Sequence, residues 1–300
     1  MSNYLLGVCV SLFGHSISAL GMNLQRYAHT LQTNAPLYKR KPWIFGLLCM
    51  ALCEVINFIA LSLAPASVVA PLGSFSVVCS ALFGGLIFGE RVGPDAVTSI
   101  VFIVIGAFIT VYNGPPNSKD LSVEEFKDII GSPKTLVFIV TLLVLMAVLG
   151  VLGRKNVFAS IALASVSAGN TITLSKTLSM FVKMSITTQN QLNNFLPYLI
   201  LGIIVASVIL QLKCINKAME THKSFVVSAF YFVMLTTMTI INATVLFGEM
   251  ISLKTNTLIM FSGGCVCVMI GVWILTKETS KYRDEEQHLL NNYRNEEGLE

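Results

Sequence analysis

Charge is what this sequence has least of. Only 12% of its 300 residues are charged, where a soluble domain carries about a quarter. Hydrophobic residues make up 54%, and the mean hydropathy is +0.73. An ordinary soluble domain is thereby excluded. The net charge of +4 is small and its cations sit in short loops, which excludes a basic nucleic-acid-binding surface. Cysteine pairing signals are missing as well. The seven cysteines are odd in number and lie in or at the ends of apolar runs. Cys265-Val266-Cys267 is not the C-x-x-C spacing of a redox or zinc site. Small apolar packing residues are the simplest reading of all seven. No nucleophile elbow, P-loop or H-E-x-x-H occurs, so no enzyme constellation is visible. The N-terminal apolar run from Tyr4 lacks a basic flank and a cleavage site, so it reads as a retained first span.

What is present is length in apolar runs. Nine spans are expected, at 4–24, 43–64, 67–89, 95–112, 135–152, 157–182, 196–218, 224–247 and 255–276. Each is long enough to cross about 30 Å of hydrocarbon. The fold class is an all-α polytopic membrane protein with one transmembrane domain over 1–276. The stretch 277–300 has four basic and seven acidic residues and reads as a disordered tail. Orientation follows from the basic loops. Arg26, Lys39, Arg40 and Lys41, then Arg154 and Lys155, then Lys213, Lys217 and Lys223, fall on one side. That side is read as cytoplasmic, which puts the N-terminus outside and the C-terminus inside. The opposite side holds 113–134, where Ser122 and Glu125 offer a capping box and Leu121 and Phe126 a hydrophobic staple. No N-x-S/T sequon lies there. Gly7, Gly14 and Gly21 recur every seven residues and give the first span a smooth contact face.

The two halves, about 4–112 and 135–276, repeat. Span 3 ends Leu86-Ile87-Phe88-Gly89-Glu90 and span 8 ends Val245-Leu246-Phe247-Gly248-Glu249. These spans are five apart, an odd number, so the repeated units run in opposite directions. Inverted repeats are a transporter signature, with the substrate site near midplane between the halves.

Trp43 to Glu90 organises the chain. Glu54 stands in mid-span, and Asn57 shares its helix face three residues on. A carboxylate there costs roughly 2.5–3.5 kcal/mol on insertion scales and marks a functional site by default. The other reading is structural: a protonated core carboxyl, or one paired with a base such as Lys176 or Arg26. Pro71 and Gly73 break the next span early, and Ser74 follows. Broken backbone at membrane depth belongs beside protein or a cavity. His15 is either a ligand or proton site or a packed, hydrogen-bonded core histidine. Lys176 is placed to snorkel, and the span hydroxyls to bond back to their own helices. Thr236, Thr237, Thr239 and Asn242 make span 8 polar.

Several of these stretches carry a resemblance. E-x-x-N-F at 54–58, A-P-A-S-V-V-A-P-L-G at 64–73, S-V-V-x-S-A at 76–81 and the Gly89-Glu90 pair resemble the NIPA family of magnesium transporters. That family belongs to the drug/metabolite transporter superfamily. F-G-H at 13–15 with N-L-Q-R-Y-x-H at 23–29 looks like its NIPA-like branch. Gly169-Asn170-Thr171-Ile172-Thr173-Leu174-Ser175-Lys176 is similar to a polar stretch of the family, with Asn170 replacing an apolar residue. Gln211-Leu212-Lys213-Cys214-Ile215-Asn216-Lys217-Ala218 resembles its Q-L-K-x-x-N-K-A. Ala229 stands where the family has a proline. The resemblance spans most of 5–276 and implies a superfamily pattern of five plus five spans, here four plus five.

Transport of Mg²⁺ or a related divalent cation, by alternating access between the halves, is the resulting expectation. No resident cofactor is expected, since Mg²⁺ is the cargo. Its binding residues would be drawn from Glu54, Asn57, Pro71, Gly73, Ser74, Asn170, Thr171, Lys176, Gln211 and Asn242, with Glu54 and Asn57 as the direct metal ligands. Mg²⁺ prefers oxygen, keeps several waters and takes one or two carboxylates, so a full protein cage is not required. Transport of small organic solutes and a non-transporting membrane scaffold are the competing readings. The partners are the cation and the lipid bilayer, with no nucleic acid and an open oligomeric state. Glu285, Leu289 and Leu290 resemble an acidic dileucine signal, or recur by chance in a charged tail. The signal reading would have an adaptor bind the tail and place the protein at endosomes or the plasma membrane.

Overall fold

The computed structural model describes residues 2–31, 39–88, 93–115, 120–221, 224–251 and 253–296. Eleven helices, and no strand, occur among them. In order they are α1 (Ser2–Thr30), α2 (Lys41–Leu63), α3 (Ala66–Leu72), α4 (Phe75–Phe88), α5 (Pro94–Tyr112) and α6 (Val123–Gly131). Then come α7 (Pro133–Leu152), α8 (Val157–Thr187), α9 (Leu196–Thr221), α10 (Ser224–Phe247) and α11 (Thr255–Glu296). Nine stretches are long and apolar enough to cross a membrane, with α3 and α4 together forming one of them. The chain is thus an all-α polytopic membrane protein. Apolar side chains such as Val137, Val140 and Val144 on α7, or Leu201 and Val205 on α9, are exposed in rows, as lipid-facing helices require.

Glycines set the closest helix pairs. A Cβ at Gly7 would meet Ala64 and Leu63, one at Gly14 would meet Ile56, and one at Gly21 would come within 2.7 Å of the Gly46 carbonyl. The seven-residue glycine face of α1 therefore lies along α2, antiparallel to it. The same device joins α5 to α11. Gly106 faces Gly264 and Val268, and Gly271 faces Ser99 and Ile103. Only residues without Cβ allow such approach, and close packing is the main attraction between helices in lipid.

Span 3 breaks where Pro71 predicts. Proline lacks the N–H that continues a helix. Gly73 N–H turns to the Ala70 carbonyl at 3.2 Å, and Ser74 N–H to that of Pro71 at 3.2 Å. The Ser74 hydroxyl also donates to Pro71 O at 2.7 Å. The chain resumes as α4 from Phe75.

The two ends of the bundle differ. At one, α6 carries the expected capping box: Ser122 and Glu125 bond each other's backbone N–H. Phe126 is buried with Val123, Phe181 and Ile200, and Leu121 packs against them. Lys183 of α8 bonds Asp120 and the Ser62 carbonyl at this α6 end. The opposite end carries the basic loops. There Lys217 donates to the Gly153 carbonyl at 3.1 Å, and Arg40 to that of Ala28 at 2.6 Å.

In the stretch from 277 that reads as a disordered tail, α11 continues to Glu296. Its composition is polar, but Lys, Glu, Arg, Gln and Leu are strong helix formers, and no proline interrupts them. The side chains of Glu285, Leu289 and Leu290 lie outside the described residues.

Candidate cation site

The α2 helix has three faces. Gly46, Cys49, Cys53 and Ala60 are buried, on the face against the glycine face of α1. Leu48, Leu52, Val55 and Ile59 are exposed and apolar, the face toward lipid. Glu54 and Asn57 lie on the third flank, with Leu61 seven residues beyond Glu54 on the same line. Leu61 is buried with Ala64, Ala66, Val69 and Ala243, and Ile172 and Phe247 pack against that cluster. The flank therefore points toward α8 and α10. It is shut at Leu61, and Glu54, two turns away, is exposed. Its carboxylate has no hydrogen-bond or ion-pair partner among the described residues. Asn57 Oδ1 is buried and also unpartnered.

His15 stands at the same level, because its neighbour Gly14 touches Ile56 and approaches the Cys53 carbonyl. A Cβ on Gly73 would lie 3.8–3.9 Å from the His15 ring, so the imidazole faces the α3–α4 break. His15 Nε2 is buried without a partner, as are Ser11 Oγ, Thr236 Oγ1 and Asn242 Oδ1. The packed, hydrogen-bonded histidine was half right: the ring is packed, but Nε2 is not bonded. Buried polar atoms are nearly always paired. Five atoms on α1, α2 and α10 have no partner among the described residues, so each is free to accept or donate to water.

The remaining expected residues fall into pairs. Asn242 donates to Asn170 Oδ1 at 2.7 Å, joining α10 to α8. Gln211 donates to Thr171 Oγ1 at 2.8 Å, joining α9 to α8. Thr171 and Thr173 also bond back to carbonyls four residues earlier, as do Ser165 and Thr177. Back-bonding of the hydroxyls was the expected default. Among the described residues no three of His, Cys, Asp and Glu gather as a metal cage. One carboxylate with scattered neutral oxygens suits only a cation that keeps most of its water.

Lys176 does not snorkel. It is 1% exposed, beside Glu249 at 3%. Its ammonium pairs with Glu249 Oε1 and lies 4.9 Å from the Phe247 ring centre. Gly248 positions that carboxylate. With φ 67 it occupies the left-handed region, which ends helices at low cost only for residues without Cβ. Its N–H bonds Thr244 O at 3.0 Å, and the Glu249 N–H reaches back to Ala243 O at 3.5 Å. The chain turns inward, and Glu249 accepts from Ala66 N–H and Ser67 N–H at 3.1 Å each and from Ser67 Oγ at 2.5 Å. One carboxylate thus holds the first turn of α3 and the α8 ammonium.

Glu249 was absent from the residues expected at the site. Its signal was the repeated F-G-E, read only as evidence of duplication. Gly89 and Glu90, the first copy's end, lie outside the described residues. A second repeat was passed over: Gly14-His15-Ser16-Ile17-Ser18 matches Gly169-Asn170-Thr171-Ile172-Thr173. It gives His15 and Asn170 equivalent places in spans 1 and 6, again five apart.

Comparison with known proteins gives one family. The profile described as Magnesium transporter NIPA matches residues 4–281. NIPA-like protein 2 of Mus musculus is 26% identical over 93% of this chain and 75% of its own. Probable magnesium transporter NIPA1 of Arabidopsis thaliana is 27% identical over 80% of this chain and 73% of its own. Magnesium transporter NIPA4 of Mus musculus is 28% identical over 79% and 60%. No solved structure matches.

Proposed function

This chain belongs to the magnesium transporter NIPA family, and from that premise we propose that it carries Mg²⁺ across the bilayer by alternating access, with Glu54 as the charged ligand. It is a membrane cation transporter and not an enzyme. The observation that carries the finer reading is the interior flank of α2. Glu54 has no partner there among the described residues, and the Asn57 amide oxygen, one turn on, has none among them either. The α3–α4 break and His15 stand at the same level. A divalent cation with its water is suited by one full negative charge beside neutral oxygens. The Asn170–Asn242 and Thr171–Gln211 pairs hold α8 against α10 and α9. The membrane potential favours inward movement of two charges by about 4.6 kcal/mol per 100 mV.

The α6 end faces outside and the basic end faces the cytoplasm. The charge of the basic loops supports this, and labelling of a tail epitope in intact cells would contradict it. Glu285, Leu289 and Leu290 then lie in the cytoplasm, where an adaptor can bind them. Replacing both leucines by alanine should shift the protein from endosomes to the surface, and unchanged distribution argues against the signal.

Uptake by reconstituted vesicles tests the substrate. Mg²⁺ influx should exceed that of organic cations and neutral solutes and be competed by other hydrated divalents. Solute flux without Mg²⁺ flux would instead support an organic-solute transporter, and no flux of either a scaffold.

A further inference from the structure

The Lys176–Glu249 pair is too deeply built for a surface salt bridge and too far from Glu54's flank for a cation ligand. It joins both halves of the chain. Glu249 follows α10 and Lys176 lies on α8, while the N–H groups it holds open α3. Beneath it lies a buried apolar plug of Leu61, Ala64, Ala66, Val69 and Ala243, with Ile172 and Phe247 packed on it. The plug separates the pair from the level of Asn57 and Glu54. At the basic end the polar links Asn23 to Ser80, Arg40 to Ala28 and Lys217 to Gly153 each stay within one half, and the halves meet there through apolar packing of α5 on α11. A buried charge bonded across the halves stands at the α6 end.

We propose that Glu249, with Lys176 as its counter-charge, is the latch that closes the α6 end of the cation path, and that its bonds to Ala66 and Ser67 of α3 break each time this end opens. The proposal rests on the alternating-access reading above. Such a latch suits its task physically. Buried, the two charges neutralise each other, and the carboxylate has four donors. Each charge alone would be costly to keep from water. Once water enters, the carboxylate and the α3 N–H groups are both hydrated and their bonds lose their advantage, so the latch has a closed and an open state. Lys176 and Glu249 are positioning residues: they hold helices and do not touch the cargo.

The variants separate latch from static brace. Val69→Cys places a thiol in the plug, to be probed from the α6 side with a membrane-impermeant thiol reagent against the background of the seven native cysteines. Lys176→Met leaves the Glu249 carboxylate buried without a counter-charge, which draws it toward water and weakens its hold on α3. We expect labelling at position 69 to rise at least tenfold and Mg²⁺ uptake to fall. Lys176→Arg, which keeps the charge, should restore shielding and much of the uptake. Position 69 staying shielded in a folded Lys176→Met protein overturns the latch. A second experiment avoids weakening the pair. In Val69→Cys with Ala243→Cys, a short thiol crosslinker should stop uptake until it is cleaved. Uptake that survives a verified crosslink overturns the proposal too. Absence of Mg²⁺ uptake in the unmodified protein would defeat the transport reading instead, while the labelling result would still report whether this end opens.

Discussion

Glu54 and Glu249 are carboxylates in opposite surroundings. Glu249 is buried, and it accepts from two N–H groups, a hydroxyl and an ammonium. Glu54 is exposed on an interior flank and has no described partner. A carboxylate with its lone pairs filled is fixed and serves as architecture. One with none filled is available to a cation that brings its own charge. The sequence ranks them the other way. Glu54 stands out in mid-span, while Glu249 looks like an ordinary residue at a span's end. On the proposed function, the contrast separates the carboxylate that holds helices together from the one that would bind the cation.

The sharpest break of that contrast is in stability. Glu249→Gln leaves the Lys176 ammonium buried without a counter-charge. Removing one partner of a buried pair costs about 3–5 kcal/mol. Glu54→Gln should cost almost nothing, because no described donor depends on its charge. Thermal unfolding in detergent measures both. Equal losses would mean that Glu54 is also a structural carboxylate. Gly248→Ala comes next. A Cβ in the left-handed region costs roughly 1–2 kcal/mol, and any relief moves Glu249 away from α3. Its unfolding should fall between those of Glu249→Gln and the parent. Parental stability would show that Gly248 does not aim the carboxylate. The smallest effect is that of Asn57→Ala. Water replaces a neutral ligand at small cost, so the half-saturating Mg²⁺ concentration should rise several-fold with little change in maximal rate. A loss as complete as that of Glu54→Gln would make Asn57 an equal partner in the site.

Local chemistry was legible in advance and distant pairing was not. The nine spans follow from composition, and the α3–α4 break from one missing N–H at Pro71. The capping box at Ser122 and the glycine face of α1 follow from spacing alone. Lys176 was misplaced because its partner is 73 residues away, and a lysine six residues from a span's end reads as one reaching for water. Glu249 was hidden for the complementary reason. Only the left-handed turn at Gly248 folds it back into the protein. His15 was half legible: its place in a glycine-rich helix was visible, but the backbone break that it faces lies on another span. In the tail, net charge pointed to disorder while residue-by-residue propensity favoured helix.

The central claim is that Glu54 binds the cation through its charge. Glu54→Gln keeps the side chain's size and one acceptor oxygen and removes only the charge, so vesicle uptake of Mg²⁺ tests it directly. With equal protein in the vesicles and unchanged thermal stability, Glu54→Gln should lose most uptake, and Glu54→Asp should retain part of it. Wild-type uptake by Glu54→Gln would contradict the account, since a protonated structural carboxyl is well mimicked by an amide.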